Sequence, residues 1–316
     1  MENKQIAIPH FGEPDVLAIQ YTQIPQPQKG EVLVKVAFAS VNPIDVKTRA
    51  GLGWAAAQNK DNLPWVPGYD ISGSVIECGE ATEKFDLGDK VAGFIGFPLQ
   101  GGGYSQYVTV PESSLSRVPE AVTLEAAAAL PLAGQTAIQA LDKVSVQEGQ
   151  RVLILAGAGG VGHIAVQLAV AAKAEVFTTC GESNLDYIAT LGAHAINYRF
   201  APVSERVEEA DALIDLVGGD AALDALKCLK DNAKVVTVPT LSAELICEKA
   251  KLLGFEATGM LVDPNREQLD AMLYLVSVGM LKAEIYQVYP MDQVVEAHKQ
   301  METGHTRGKI LLDMQC

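Results

Sequence analysis

The stretch that decides the fold is Val152-Leu153-Ile154-Leu155-Ala156-Gly157-Ala158-Gly159-Gly160-Val161-Gly162, an apolar run that passes directly into Gly-x-Gly-x-x-Gly. Beyond it, Val161, Ile164, Ala165, Leu168, Ala169 and Ala172 recur at the spacing of one helix face. A glycine triplet alone is weak evidence; strand, tight turn and helix in that order give it meaning. The chemistry asks for glycine at each place. Gly157 permits the sharp turn, Gly159 lets the backbone approach a pyrophosphate, and Gly162 lets the helix pack against the strand. A helix N-terminus then turns unpaired amides and the positive end of its dipole toward phosphate. Gly157, Ala158, Gly159, Gly160, Val161 and Gly162 thus read as a dinucleotide-binding loop. The bland alternative is a turn selected only for close packing.

The tip of the following strand decides which dinucleotide fits, because an acid about 20 residues on would hold the ribose hydroxyls of NAD. That tip reads Thr179-Cys180-Gly181-Glu182-Ser183-Asn184, with no carboxylate at the strand end itself. Cys180, Gly181, Ser183 and Asn184 leave room for a 2′-phosphate and can bond to it, so NADPH is expected over NADH. Glu182 complicates this, since an inward carboxylate would repel that phosphate; a solvated loop acid is its other reading.

Working outward, continuous apolar or β-branched runs at 151–155, 175–179, 212–216, 234–238 and 253–258 alternate with helical segments, as in a parallel sheet wound on both faces. Before about residue 120 the grammar differs. Short strands at 31–38, 71–77, 90–94 and 104–110 are cut by Pro25-Gln26-Pro27, Pro67-Gly68, Gly88-Asp89 and Gly101-Gly102-Gly103, which predicts a β-rich domain without long helices. The change falls near Leu124. We expect an α/β protein with a β-rich domain at 1–123, a doubly wound parallel-sheet domain at 124–262, and a segment at 263–316 that returns to the first domain.

The 316 residues suffice for two domains, and 48% hydrophobic with 20% charged residues is an ordinary globular composition. A net charge of −15 disfavours nucleic acid and anionic membrane surfaces, whose binding needs Lys and Arg against phosphate. The five scattered cysteines form neither a metal-binding spacing nor a disulfide framework, and no apolar run is long enough to span a bilayer. A cytoplasmic protein acting on a small molecule is expected.

Ordered along the chain are Phe11-Gly12-Glu13-Pro14, Gly30-Glu31-Val32-Leu33-Val34-Lys35-Val36, Val41-Asn42-Pro43-Ile44-Asp45-Val46-Lys47, Pro67-Gly68-Tyr69-Asp70, Gly88-Asp89-Lys90-Val91, Leu130-Pro131-Leu132-Ala133-Gly134-Gln135-Thr136-Ala137 and Gly304-His305-Thr306-Arg307-Gly308-Lys309-Ile310. Together with the glycine loop, these resemble the zinc-free quinone oxidoreductase branch of the medium-chain dehydrogenase/reductase superfamily over nearly the whole chain. The resemblance implies a GroES-like first domain, a Rossmann second domain, an active site in the cleft between them, and a homodimer paired through the last Rossmann strand. Zinc-dependent members carry Cys near Asn42 and Gly-His-Glu near Gly68; those slots here hold Asn42 and Gly68-Tyr69-Asp70, so no zinc is expected. Without that Lewis acid, substrates already activated by conjugation, quinones or enones, are favoured.

The resemblance brings Asn42, Asp45 and Lys47 to the catalytic position and Thr136 to the nicotinamide side. Asn42 would donate to the substrate oxygen, and Lys47 would stabilise an enolate or relay a proton. Relatives often place Tyr at the positions of Lys47 and Gly53, so their proton donor does not transfer. Tyr69 and Trp54 are placed to line the substrate opening. Each residue also has a plain reading: Asn42-Pro43 as a turn, Asp45 with Lys47 as an ion pair, Thr136 as a helix cap, Tyr69 and Trp54 as packing aromatics. Val217, after a strand of the parallel sheet, is expected where the cofactor crosses the sheet edge, or else in an ordinary turn. Arg307 and Lys309 read either as charges that approach the cofactor phosphates or, as for most such residues, as solvated charges. The competing functions are an enoyl-thioester reductase and a non-catalytic NADPH-binding redox sensor.

Overall fold

The computed structural model describes residues 2–316. The chain runs through β1 (Glu2–Ala7), β2 (Ala18–Gln23), β3 (Glu31–Val41), α1 (Pro43–Arg49), α2 (Gly53–Asn59), β4 (Asp70–Cys78), β5 (Lys90–Phe94), β6 (Tyr107–Pro111), β7 (Leu115–Arg117) and α3 (Leu124–Ala128). It continues through α4 (Pro131–Val144), β8 (Arg151–Ile154), α5 (Gly162–Ala171), β9 (Glu175–Cys180), α6 (Leu185–Thr190), β10 (His194–Asn197), β11 (Ala210–Asp215), α7 (Gly219–Ala225), β12 (Leu229–Thr237), α8 (Ala243–Leu252) and β13 (Glu256–Gly259). It closes with α9 (Arg266–Ser277), β14 (Ile285–Pro290), α10 (Val294–Glu302) and β15 (Lys309–Asp313).

Two compact units result, one of Met1–Leu132 with Pro264–Cys316 and one of Ala133–Asp263. The first break lies later than the expected boundary at Leu124. The reason is packing: Ala128 and Ala129, at the end of α3, are buried with Phe38 of β3 and Leu311 of β15 in one apolar cluster, so α3 stays with the β-rich unit.

In that unit the main sheet runs β14-β15-β3-β4-β5-β7, with β6 also on β3. All its pairs are antiparallel except β14 with β15. β3 is its spine, and Val32, Val34, Ala39 and Val41 are fully buried along it. Long helices are absent before α3, as the proline and glycine punctuation implied; α1 and α2 are 7 residues each.

The second unit is a six-stranded sheet in the order β10-β9-β8-β11-β12-β13, every pair parallel. The order reverses beside β8, and that switch point places the loop after β8 at the carboxyl edge of the sheet, where such folds bind ligands. Leu153, Leu155, Leu213 and Val235 of the strands are buried against Ile246 and Ala250 of α8, which explains the unbroken apolar runs. Two expectations need correction. The short strand β10 escaped notice, and the run 253–258 is not all strand, because Leu252 ends α8 and Leu253 caps it.

Candidate active site

The turn after β8 is built differently from the expected glycine hinge. The left-handed residue is Ala156, at φ 55°, held there because its amide donates to Thr179 Oγ1 (2.9 Å) and its carbonyl accepts from Gly159 N (2.9 Å). No glycine of the triplet has positive φ. Gly157 is required by space: a β-carbon there would lie 2.0 Å from Thr178 Oγ1, which itself donates to Ile154 O. A β-carbon on Gly162 would lie 2.1 Å from Ala156 O, so α5 starts against the loop backbone. Gly157 N donates to Thr179 O and His163 N to Gly159 O, whereas no backbone carbonyl among the described residues takes the amides of Gly160, Val161 and Gly162. Gly162 opens α5 and Val161 is its N-cap, so these amides lie at the helix N-terminus, where the helix dipole adds positive potential. The loop therefore fits a pyrophosphate.

Beyond β9, Cys180 is buried and burial pushes its thiol pKa up, so it is a neutral wall and no nucleophile. Gly181 leads into the turn Glu182–Asn184, where Glu182 and Ser183 are exposed and Asn184 half-buried. The sequence reading missed the neighbouring strand tip. β10 lies parallel to β9 with Asn197 opposite Cys180, so Tyr198 and Arg199 emerge beside Gly181. Tyr198 Oη stands 4.0 Å from where a Gly181 β-carbon would be, and the Arg199 guanidinium lies 5.8 Å from the Tyr198 ring centroid. A cation thus stands beside the loop that carries Glu182, Ser183 and Asn184. Placing β10 next to β9, as the Rossmann order requires, would have found it.

On the far side of β8, Asp215 ends β11 and accepts from the amides of Val217 (2.9 Å) and Gly218 (2.7 Å) and from Thr237 Oγ1 (2.7 Å). This holds Val217 outward, 48% exposed, at the carboxyl edge of the sheet. Thr136 is buried in the second turn of α4, which begins at Pro131, so the capping role is excluded.

The first unit holds Asn42, Asp45 and Lys47 on or at the start of α1. Asn42 is the N-cap, and Asp45 completes a capping box by accepting from Asn42 N (2.9 Å) while its other oxygen accepts from Gly68 N (3.0 Å). The expected alternative of an Asp45–Lys47 ion pair is therefore corrected: backbone amides occupy both carboxylate oxygens. Asn42 is 1% exposed, and both ends of its amide are engaged. Nδ2 donates to Asp70 Oδ2 (2.9 Å), and Oδ1 accepts from Lys309 Nζ (2.5 Å). Asp70 Oδ1 accepts from Leu132 N (2.8 Å) in the first turn of α4, and Asp70 Oδ2 lies 3.8 Å from Lys309 Nζ.

Lys309 was read as a solvated charge; it is 2% exposed. Burial lowers its pKa, against the opposing pull of Asp70 and Asp45. Burial likewise raises Asp70, opposed by Lys309 and Asn42, and raises Asp45 to about 7, opposed by the Gly68 and Asn42 amides. Lys47 is half-buried, and burial lowers its pKa too. Of the three expected catalytic residues it alone reaches the surface.

Tyr69 is fully buried and donates to Pro98 O (3.2 Å), and Trp54 packs edge-on against Phe97, so both aromatics take their packing role. Asn42, Tyr69 and Asp70 occupy the slots of the zinc-dependent enzymes, and no group of three or more His, Cys, Asp or Glu side chains that could hold a metal gathers among the described residues.

Comparison with known proteins agrees with this architecture. Residues 28–120 match the alcohol dehydrogenase GroES-like domain and residues 191–312 the zinc-binding dehydrogenase family. The chain is 31% identical over 304 residues to the chloroplast envelope quinone oxidoreductase homolog of Arabidopsis thaliana, covering 92% of each chain. It is 30% identical over 313 residues to an Arabidopsis thaliana protein named NADPH-dependent alkenal/one oxidoreductase, chloroplastic, covering 96% of this chain and 77% of that one. The structure of the quinone oxidoreductase from Coxiella burnetii superposes with a TM-score of 0.96 at 42% identity, over 99% of both chains. On this fold, loop and likeness, the chain belongs to the quinone oxidoreductase branch of the medium-chain dehydrogenase/reductase superfamily and is an oxidoreductase of the quinone and enone reductase type.

Proposed function

We propose that this protein reduces a quinone or another α,β-unsaturated carbonyl compound at the expense of NADPH and without zinc. The observation that carries the reading is the glycine-rich loop 156–162, whose amides at the start of α5 take no backbone carbonyl and suit a diphosphate. Gly157, Ala158, Gly159, Gly160, Val161 and Gly162 hold the pyrophosphate. Cys180, Gly181, Ser183 and Asn184, with Tyr198 and Arg199, receive the phosphorylated ribose. Thr136 and Val217 serve the nicotinamide half. When bound, the nicotinamide supplies the hydride.

This chain's own residues must hold the substrate oxygen and provide a proton. Lys47 is the donor, because it combines access to solvent with an ammonium made more acidic by burial. Asn42 and Asp45 act through α1, whose first turn they close, rather than by touching substrate. The relatives' names, a quinone oxidoreductase homolog and an alkenal/one oxidoreductase, support the substrate class.

The test is loss of NADPH absorbance with ortho-quinones, para-quinones, short enones and enoyl thioesters, alongside parallel binding titrations of NADPH and NADH. Turnover with quinones or enones and tighter NADPH binding are expected. Turnover confined to enoyl thioesters would make it an enoyl-thioester reductase, and tight binding without turnover a redox sensor.

We further propose a homodimer paired through β13, which has β12 on one side and an open edge on the other. Leu252 and Leu253 beside it are 79% and 58% exposed. No helix of the described residues is long and apolar enough to cross a membrane. We also propose a reducing, cytoplasmic location, on the five cysteines being free thiols.

A further inference from the structure

Lys309 is a cation buried in the β-rich unit, 2% exposed. It opens β15 and donates to Asn42 Oδ1 (2.5 Å) and to Val41 O (3.4 Å), with Asp70 Oδ2 at 3.8 Å. An amide can flip end for end, but here Asn42 is fixed. In the observed orientation its oxygen meets an ammonium and its nitrogen a carboxylate; reversed, Nδ2 would face Nζ and Oδ1 would face Asp70. Asn42 is also the N-cap of α1, and Lys47 stands on that helix five residues further on. Asp70, the second partner, reaches Leu132 N in the first turn of α4. A single ammonium therefore holds the N-cap of one helix directly and the anchor of another through a carboxylate. Removing it leaves Asp70 buried beside Asp45 with no cation at hand, a costly arrangement in a dry interior.

We propose that Lys309 is a positioning residue for the reduction. It locks the Asn42 amide and the Asp70 carboxylate, and so fixes the start of α1 and the place from which Lys47 delivers its proton. The inference deepens the reductase reading and rests on it for the step that Lys47 performs.

The test compares wild type with Lys309→Met, Lys309→Arg and the double variant Lys309→Met/Asp70→Asn. Three readouts are used: quinone turnover, NADPH affinity, and hydrogen exchange of the peptide covering residues 42–47. Lys309→Met should lower kcat about 10-fold or more with NADPH Kd unchanged, and should speed exchange across 42–47 about 10-fold. Lys309→Arg, which keeps the charge, should regain part of the kcat. The double variant removes the unpaired charge and should fold stably if Lys309→Met does not, while kcat stays low because Asn42 remains unlocked. A folded Lys309→Met enzyme, or double variant, with wild-type kcat and wild-type exchange would overturn the proposal. If wild type turns over no acceptor, the reductase reading fails by itself, and exchange across 42–47 still decides whether Lys309 fixes α1.

Discussion

Thr178 Oγ1 occupies the space that a side chain at Gly157 would need, 2.0 Å from the position of a β-carbon there, while donating to Ile154 O at 2.6 Å. The glycine is thus a requirement of the neighbouring strand. Gly157→Ala should destabilise the protein by about 1–3 kcal/mol through overpacking and weaken NADPH binding at least 10-fold, read by urea denaturation and fluorescence titration. Adding Thr178→Ala removes the hydroxyl contact and leaves one near the strand atom at 2.8 Å, so part of both losses should return.

As the proposed proton donor, Lys47 should set a pH limb. Burial lowers its pKa, and on that proposal the protonated form donates, so kcat should fall as pH rises through a value below that of an ordinary lysine. Lys47→Met should cost roughly 100-fold or more in kcat with little change in NADPH Kd. Lys47→Arg should move the alkaline limb upward. A pH profile identical in wild type and Lys47→Met would remove Lys47 from the mechanism.

The raised pKa of Asp45, about 7, has a defined sign for stability. The folded protein keeps this proton where the unfolded chain has lost it, so unfolding free energy decreases as pH rises from the ordinary aspartate range toward 7, by at most ~1.4 kcal/mol per pH unit. In Asp45→Asn that component should vanish. Urea melts of both proteins across this window isolate it as a difference in slope, even though the amide sacrifices one of the two backbone contacts at Asn42 and Gly68.

Arg199 and Tyr198 should decide cofactor choice. Arg199→Ala should weaken NADPH roughly 10-fold or more, the scale of a charge-assisted hydrogen bond, and leave NADH unchanged. Glu182→Gln should tighten NADPH if that carboxylate turns inward. Isothermal titration with both cofactors separates these effects, and equal losses for NADPH and NADH would argue against a 2′-phosphate site.

Assembly through β13 is checked by sedimentation equilibrium. The wild type should be a dimer. Thr258→Glu, a charge on the exposed edge strand, should shift it toward monomer. A wild-type monomer would exclude the paired edge.

How legible these features were depended on distance in sequence. The glycine loop and the apolar strands on either side could be read from local pattern, because each is written in contiguous residues. Ala156 could not: nothing marks an alanine as left-handed until Thr179 and Gly159 hold it. His194-Ala195-Ile196-Asn197 is too short and too polar at its ends to read as a strand, and Tyr198 and Arg199 went with it. Lys309 follows Arg307 and Gly308 in what looks like a surface turn, and its partner Asn42 lies 267 residues away. Charge in a sequence defaults to solvent; only the sheet pairing of β15 with β3 carries this one inside. Asp45 was recognisable as an acid near the site, but its engagement by two backbone amides required the loop at Gly68.

The placement of β15 between β14 and β3 has a consequence for synthesis. The parallel-sheet unit is one uninterrupted stretch, so it is free to form as soon as it leaves the ribosome. The β-rich unit is open until its final strand arrives, and β3 waits through more than 260 residues of translation for its neighbour. Premature termination before residue 309 would therefore leave the β-rich unit with a bare strand edge, prone to aggregation and proteolysis, while the central parallel-sheet unit survives.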